Sequence, residues 1–131
     1  MTEDDLKKRT KLFARRILKL VAALPKTLAG RTIGGQLARS GTSVAANYRA
    51  ACRARSKAEF ISRLGVVEEE ADESALWLEL IIEAELMKNV LVEPLWIEAD
   101  EIVAIMTSSR KSASQSLVAA NSKIKIQKSK I

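Results

Sequence analysis

Histidine is absent from this chain. With it go the commonest general base, the commonest transition-metal ligand and the side chain that titrates near neutral pH. A Ser–His–Asp triad has no base, and a di-iron bundle site built on Glu-x-x-His pairs has no imidazole. Cysteine is nearly absent too: Cys52 stands alone, so no internal disulfide and no thiolate cage for zinc can form. Aromatic residues make up 4% of the chain, too few for single-stranded nucleic acid to be read by base stacking. Long apolar runs are missing as well. Val21-Ala22-Ala23-Leu24 stops at Pro25 and Leu86-Met87 at Lys88, far short of the roughly 20 residues that cross a bilayer. The first residues, Met1-Thr2-Glu3-Asp4-Asp5, lack the basic start and apolar stretch of a secretory signal. The expectation is a cytoplasmic protein without a membrane role.

What the chain has in quantity is charge, unevenly distributed. Residues 1–63 hold fifteen Lys/Arg against four Asp/Glu, residues 64–101 one Lys against twelve acids, and residues 102–131 six basic residues and no acid. The modest total of +6 therefore conceals strong local fields of both signs. Two readings stand. The acidic stretch neutralises its basic neighbours, within the molecule or across a subunit contact, or part of the basic surface stays free and meets phosphate.

Apolar periodicity predicts four helices. Leu6, Thr10, Phe13, Ile17, Leu20 and Leu24 recur at alternating spacings of four and three, one seam of a first helix. Thr2 and Asp5 suit its N-cap, and Pro25 ends it. A second helix is expected from about Thr32 to Cys52, buried along Ile33, Leu37, Gly41, Val44, Tyr48 and Ala51. Its glycines cost roughly 1 kcal/mol each against alanine, which the close approach of a neighbouring helix offsets. Ser56-Lys57-Ala58-Glu59 is a capping box that opens a third helix. That helix follows Phe60, Leu64, Val67, Ala71, Ser74, Leu78 and Ile81, carries a second apolar line at Leu76, Trp77, Leu80 and Ala84, and is expected to end near Lys88-Asn89. Pro94 then suits the start of a fourth, with its seam at Leu95, Ala99, Ile102, Met106, Ser109 and Ala113. Short connections between such rods make an all-α, antiparallel up-down-up-down four-helix bundle. It is expected to span residues 1–118 and to leave 119–131 as a frayed basic tail.

Few constellations suggest chemistry. Glu68-Glu69-Glu70-Ala71-Asp72-Glu73 has the spacing of helix-borne ligands for a hard cation, but such runs are usually solvated faces. No metal, cofactor or catalytic residue is expected. Gly30-Arg31-Thr32-Ile33-Gly34-Gly35 lacks the Gly-Lys-Ser/Thr ending of a phosphate loop, and Cys52 reads as a packing residue. Arg39, Ser43 and Asn47 form a polar line one turn apart. Read as an internal latch, it places Arg39 inside, paired with Glu73 or bonded to Ser43. Read otherwise, it is a ridge that faces a partner.

The run from Leu37 to Val44 (LARSGTSV), then Ala46 to Phe60 (ANYRAACRARSKAEF), resembles the bacterial four-helix-bundle family encoded in intervening sequences of 23S ribosomal RNA genes. Glu69-Glu70-Ala71-Asp72-Glu73-Ser74, Trp77-Leu78-Glu79-Leu80 and Ser108-Ser109-Arg110-Lys111 fit the same pattern. The resemblance covers about residues 10–113, with Ala45 standing where glycine is the usual residue. That family is similar to the accessory protein of diversity-generating retroelements, a homopentamer that binds nucleic acid and a reverse transcriptase. The resemblance thus implies self-assembly, most simply a pentamer, and RNA or DNA, a reverse transcriptase or a ribosomal component as partners. It brings no catalytic residues. The candidate phosphate contacts are Lys11, Arg15, Arg16 and Lys19 on the first helix, and Arg49, Arg53, Arg55 and Lys57 around the second connection. The expected function is that of a non-enzymatic scaffold binding structured RNA. The alternative is a protein-interaction module whose basic helices serve only its own acidic one.

Overall fold

A computed structural model describes residues 1–129, and among these there is no strand. Helices α1 (Glu3–Ala22), α2 (Leu28–Cys52), α3 (Lys57–Glu83) and α4 (Asn89–Ser129) follow one another through links of four or five residues. Links that short force each rod to run back along the one before it, as expected for the up-down-up-down bundle. α2 packs on α1 and α3, α3 packs on α4, and the last side, between α1 and α4, is the most open. Phe13, Ile17, Leu37, Val44, Leu64, Val67, Leu78, Ile81, Ile102 and Met106 fill the core. Among the described residues no helix is long and apolar enough to cross a membrane.

Local chemistry starts the first three helices. At α1 the Thr2 hydroxyl accepts from the Asp5 N–H (3.1 Å), and the Asp5 carboxylate accepts from the Thr2 N–H (2.9 Å), a reciprocal box that satisfies two orphan donors. These bonds hold the Asp5 carboxyl below its usual range. At α3 the Ser56 hydroxyl accepts from the Glu59 N–H (3.0 Å), but the Glu59 carboxylate reaches one residue further back, to the Arg55 N–H (3.0 Å). The box is displaced by one position and still caps the helix.

Helix boundaries depart from the sequence expectation at three places. α2 begins at Leu28, not Thr32, because Thr27 is its N-cap and its hydroxyl accepts from the Gly30 N–H. Gly30 is helical, and its glycine answers a close approach. A Cβ there would lie 2.0 Å from the Pro25 carbonyl oxygen. α3 stops at Glu83 rather than near Asn89. Glu85 takes a left-handed conformation (φ 54°), with Leu86 N–H donating to the Ile81 carbonyl (3.0 Å) and Glu85 N–H to Ile82 (3.1 Å). This is a Schellman stop with glutamate in the glycine position. It turns Leu86 and Met87 back onto the core, and that burial overrides a stretch the sequence would leave helical. α4 begins at Asn89, so Pro94 sits inside it. The missing N–H orphans only the carbonyl of the exposed Val90, which water can satisfy, while Val92 extends the buried seam by one turn. The tail is corrected as well. α4 continues as helix through Ser129 where fraying was expected, and the expected tail's Lys130 and Ile131 lie outside the described residues.

A close contact joins α1 and α2 at Gly41. A Cβ on Gly41 would meet Ile17 Cγ2 at 2.8 Å and Ile17 Cβ at 3.1 Å, whereas one on Gly35 would meet nothing within 4 Å. Ile17 is β-branched and cannot swing away, so one added methyl at position 41 overpacks the core. That costs about 1–3 kcal/mol and outweighs the roughly 1 kcal/mol gained in helix propensity. Urea unfolding at fixed protein concentration is expected to show Gly41→Ala less stable than wild type and Gly35→Ala more stable, by about 0.5–1 kcal/mol. In the same assay Glu85→Gly is expected to raise stability by about 1 kcal/mol, by relieving the left-handed glutamate.

Candidate nucleic-acid interface

Seven residues along α1 return a side chain to the same flank, and that periodicity sorts its basic residues. Arg9 faces α4, where it donates to both Glu98 oxygens (2.8 and 2.6 Å) and to Glu101 (2.5 Å). Arg16, seven residues on and half-buried, shares that flank. Arg15 and Lys19 point outward and are exposed. Lys7 and Lys11 lie on the other edge, toward α2.

There they meet Arg49 and Arg53. Lys7, Lys11, Ala45, Ala46, Arg49 and Arg53 line one cleft of about 540 Å³ between α1 and α2. A second, of about 450 Å³, adjoins it and is lined by Ala46, Arg49, Ala50, Arg53, Arg55 and Glu59. The two share Ala46, Arg49 and Arg53, so they form one continuous groove with an alanine floor and a guanidinium or ammonium rim. Glu59 is the sole acid along it, and its carboxylate is taken by the Arg55 N–H. Among the described residues Lys11, Arg49, Arg53 and Arg55 make no ion pair, and Lys7 has only loose, exposed contacts with Glu3 (3.9 Å) and Asp4 (4.0 Å). No aromatic ring lines the groove, and Tyr48, nearest in sequence, is buried in the core.

The structure thus joins Lys11 to Arg49, Arg53 and Arg55, two groups that the sequence offered as separate candidates. It adds Lys7, one turn before Lys11, which the helical spacing could have indicated. It separates Lys57, whose ammonium donates to the Ser116 hydroxyl of α4 (3.0 Å). Arg15, Arg16 and Lys19 do not line the groove.

The polar line on α2 faces α3. Arg39 is paired with Glu70 (3.1 Å) and Glu73, but its side chain is about half exposed (49%), which corrects the expectation of an internal arginine. Asn47 donates to the Ser43 carbonyl and hydroxyl within α2 (3.0 and 2.8 Å) and accepts weakly from Arg63 of α3 (3.4 Å). The buried polar link is Ser40 with Ser74, their hydroxyls 2.8 Å apart. Both residues are small and lie on apolar seams, so nothing in the sequence marked them as a pair.

The acidic run of α3 is divided among partners. Glu68 accepts from Arg110 (2.8 Å) and Thr107 (2.7 Å), and these bonds, Arg110's first, hold its carboxyl below the usual range. Glu70 and Glu73 hold Arg39, while Glu69 and Asp72 face solvent. Among the described residues no cluster of three or more carboxylates or thiols gathers that could hold a metal ion.

Comparison with known proteins places this arrangement. The family model of the 23S rRNA-intervening sequence proteins matches residues 3–108. A crystal structure of a protein of unknown function from the S23 ribosomal protein family of Bacteroides thetaiotaomicron is similar at 34% identity and a TM-score of 0.73, covering 85% of this chain and 99% of that one. Among curated proteins, none matches the chain.

Cys52 borders the α1–α2 end of the bundle and tests whether the site carries a reactive group. Burial first, then a hydrogen bond with Glu3, pushes its thiol up to about 11. Because the thiolate is the nucleophile, the folded chain is expected to be alkylated by iodoacetamide at pH 8 roughly tenfold or more slowly than the urea-unfolded chain. Rates followed by mass spectrometry check this, and comparable rates in the two states would place Cys52 among reactive thiols.

Proposed function

The chain belongs to the 23S rRNA-intervening sequence protein family, and from that premise we propose that it is a non-enzymatic, homo-oligomeric scaffold that binds structured RNA through its phosphates. The observation that carries this reading is the groove. Lys7, Lys11, Arg49 and Arg53 converge over a floor of alanines with no aromatic among them. Holding like charges together with few acid partners is unfavourable in the isolated protein, and a polyanion relieves it while releasing its own condensed counterions. With no ring for stacking, the groove recognises backbone and leaves sequence unread. A helical bundle with one thiol, held protonated, and no histidine offers little to bond-breaking chemistry. Assembly into a homo-oligomer, a pentamer by the family's resemblance to retroelement accessory proteins, would repeat the groove and raise avidity without new contacts. An RNA–protein complex, with a ribosomal component or a reverse transcriptase as its protein, is the partner class this reading favours.

Titration of a labelled structured RNA at two salt concentrations tests it. Wild type is expected to bind in a salt-dependent and nearly sequence-blind way. A Lys11/Arg49/Arg53→Glu variant is expected to bind more weakly, with a log–log salt slope shallower by about 0.7–0.9 for each phosphate it no longer neutralises. An Arg15/Lys19→Glu variant, altered on the outer face of α1, is expected to keep more of its affinity. Equal affinity of wild type and the groove variant, with helicity intact, overturns the groove as the site. No binding by wild type at low salt transfers the protein to the class of protein-interaction modules.

A further inference from the structure

At about 60 Å, α4 is far longer than its neighbours, since its 41 residues rise 1.5 Å each. The contact of Ser116 with Lys57, the first residue of α3, marks the level at which the rest of the bundle ends. From Leu117 onward the helix projects beyond it by about 20 Å. Its seam does not stop there. Ala113, Leu117, Ala120 and Ile124 continue the line of Met106 and Ser109 at spacings of four and three, and Ile124 is 50% exposed with no neighbouring helix to cover it. The extension also carries Lys123 and Lys128, and no acid follows Glu101 in the chain. It lies outside the family match, which ends at residue 108.

A surface complementary to it exists elsewhere on the same molecule. Glu69, Asp72, Leu76, Glu79 and Glu83 step by three and four along α3, and all are exposed, Glu69 and Asp72 at the edge of a cleft shared with Val103 and Arg110 of α4. None of the four acids is in an ion pair among the described residues. The row spans about 20 Å, the length of the extension, and presents an apolar residue at its centre with carboxylates on either side. The extension cannot reach it within one chain, because it leaves the bundle past the first residue of α3 and points away from Glu69–Glu83.

We propose that the α4 extension of one copy docks on the exposed acidic row of α3 of a second copy, Leu117 and Ile124 meeting Leu76 while Lys123 and Lys128 meet the carboxylates. The contact joins two different surfaces, so repetition closes a ring or builds an open chain according to the rotation it imposes. It assigns a surface to the self-assembly in the function proposed above and rests on that part of the reading.

Light scattering and sedimentation of the full chain against three variants test it. The variants are deletion of residues 117–131, Glu69→Lys/Asp72→Lys/Glu79→Lys, and Lys123→Glu/Lys128→Glu, with circular dichroism to confirm helicity. The full chain is expected to exceed 14.4 kDa, and the deletion to fall to a monomer's mass. Each charge reversal is expected to weaken self-association by roughly tenfold or more, and the two combined to restore it. A deleted chain that assembles as the full chain does overturns the docking and leaves self-assembly standing. A full chain that is monomeric overturns both, without touching RNA binding through the groove. Loss of RNA affinity on deletion, with the state of assembly unchanged, overturns the docking and gives the extension to the nucleic acid.

Discussion

Contact between Gly41 of α2 and Ile17 of α1 sets the spacing on which the rest of the bundle depends. A branched side chain lies where a Cβ would stand, so the two helices keep this separation only while position 41 has no side chain. On its other side α2 meets α3 through Ser40 and Ser74, also small, and their shared hydrogen bond satisfies two buried hydroxyls. α2 thus gives up helix propensity along its length and is stabilised by the neighbours it draws in. The same economy of side chain continues to its C-terminal end at Ala45, Ala46 and Ala50. There α1 no longer fills the space, and the result is a groove. A property required by packing at one end becomes a recess at the other.

Charge is arranged differently from packing. Among the described residues three arginines tie helices together by ion pairs: Arg9 from α1 to α4, Arg39 from α2 to α3, Arg110 from α4 to α3. Each pair is at least partly solvated, so its contribution to stability is small. They serve more to orient than to hold. Neutralisation within one copy accounts for these three links, and the sequence reading also allows neutralisation across a subunit contact. The basic groove of α1 and α2 and the acidic row of α3 both remain open, on different faces of one molecule.

Where helices begin and end shows how far local chemistry reaches. Thr2 with Asp5 and Ser56 with Glu59 were readable because a cap is built from residues three apart. Thr27 carries no reciprocal box, because Gly30 three residues on has no side chain to return the bond, and its missing Cβ instead accommodates the Pro25 carbonyl. The stop after Glu83 has no local signal, since glutamate is a poor left-handed residue. It occurs because Leu86 and Met87 gain more by turning onto the core than by continuing outward.

By itself the sequence determined the four seams, the order of the helices and the polarity of the charge, because each is written in spacings of three and four or in simple counts. Short links then left little choice of topology. The tertiary structure alone decided which basic residues share a surface. Lys11 and Arg49 are far apart along the chain, and a helical period places each on its own helix without saying which flank its neighbour will cover. Packing settled that: Gly41 brought α2 against one side of α1, so Lys7 and Lys11 came to face Arg49 and Arg53, Arg9 turned to α4, and Lys57 was carried round to Ser116. The groove exists because of that choice of neighbours, a long-range property that no local pattern contains.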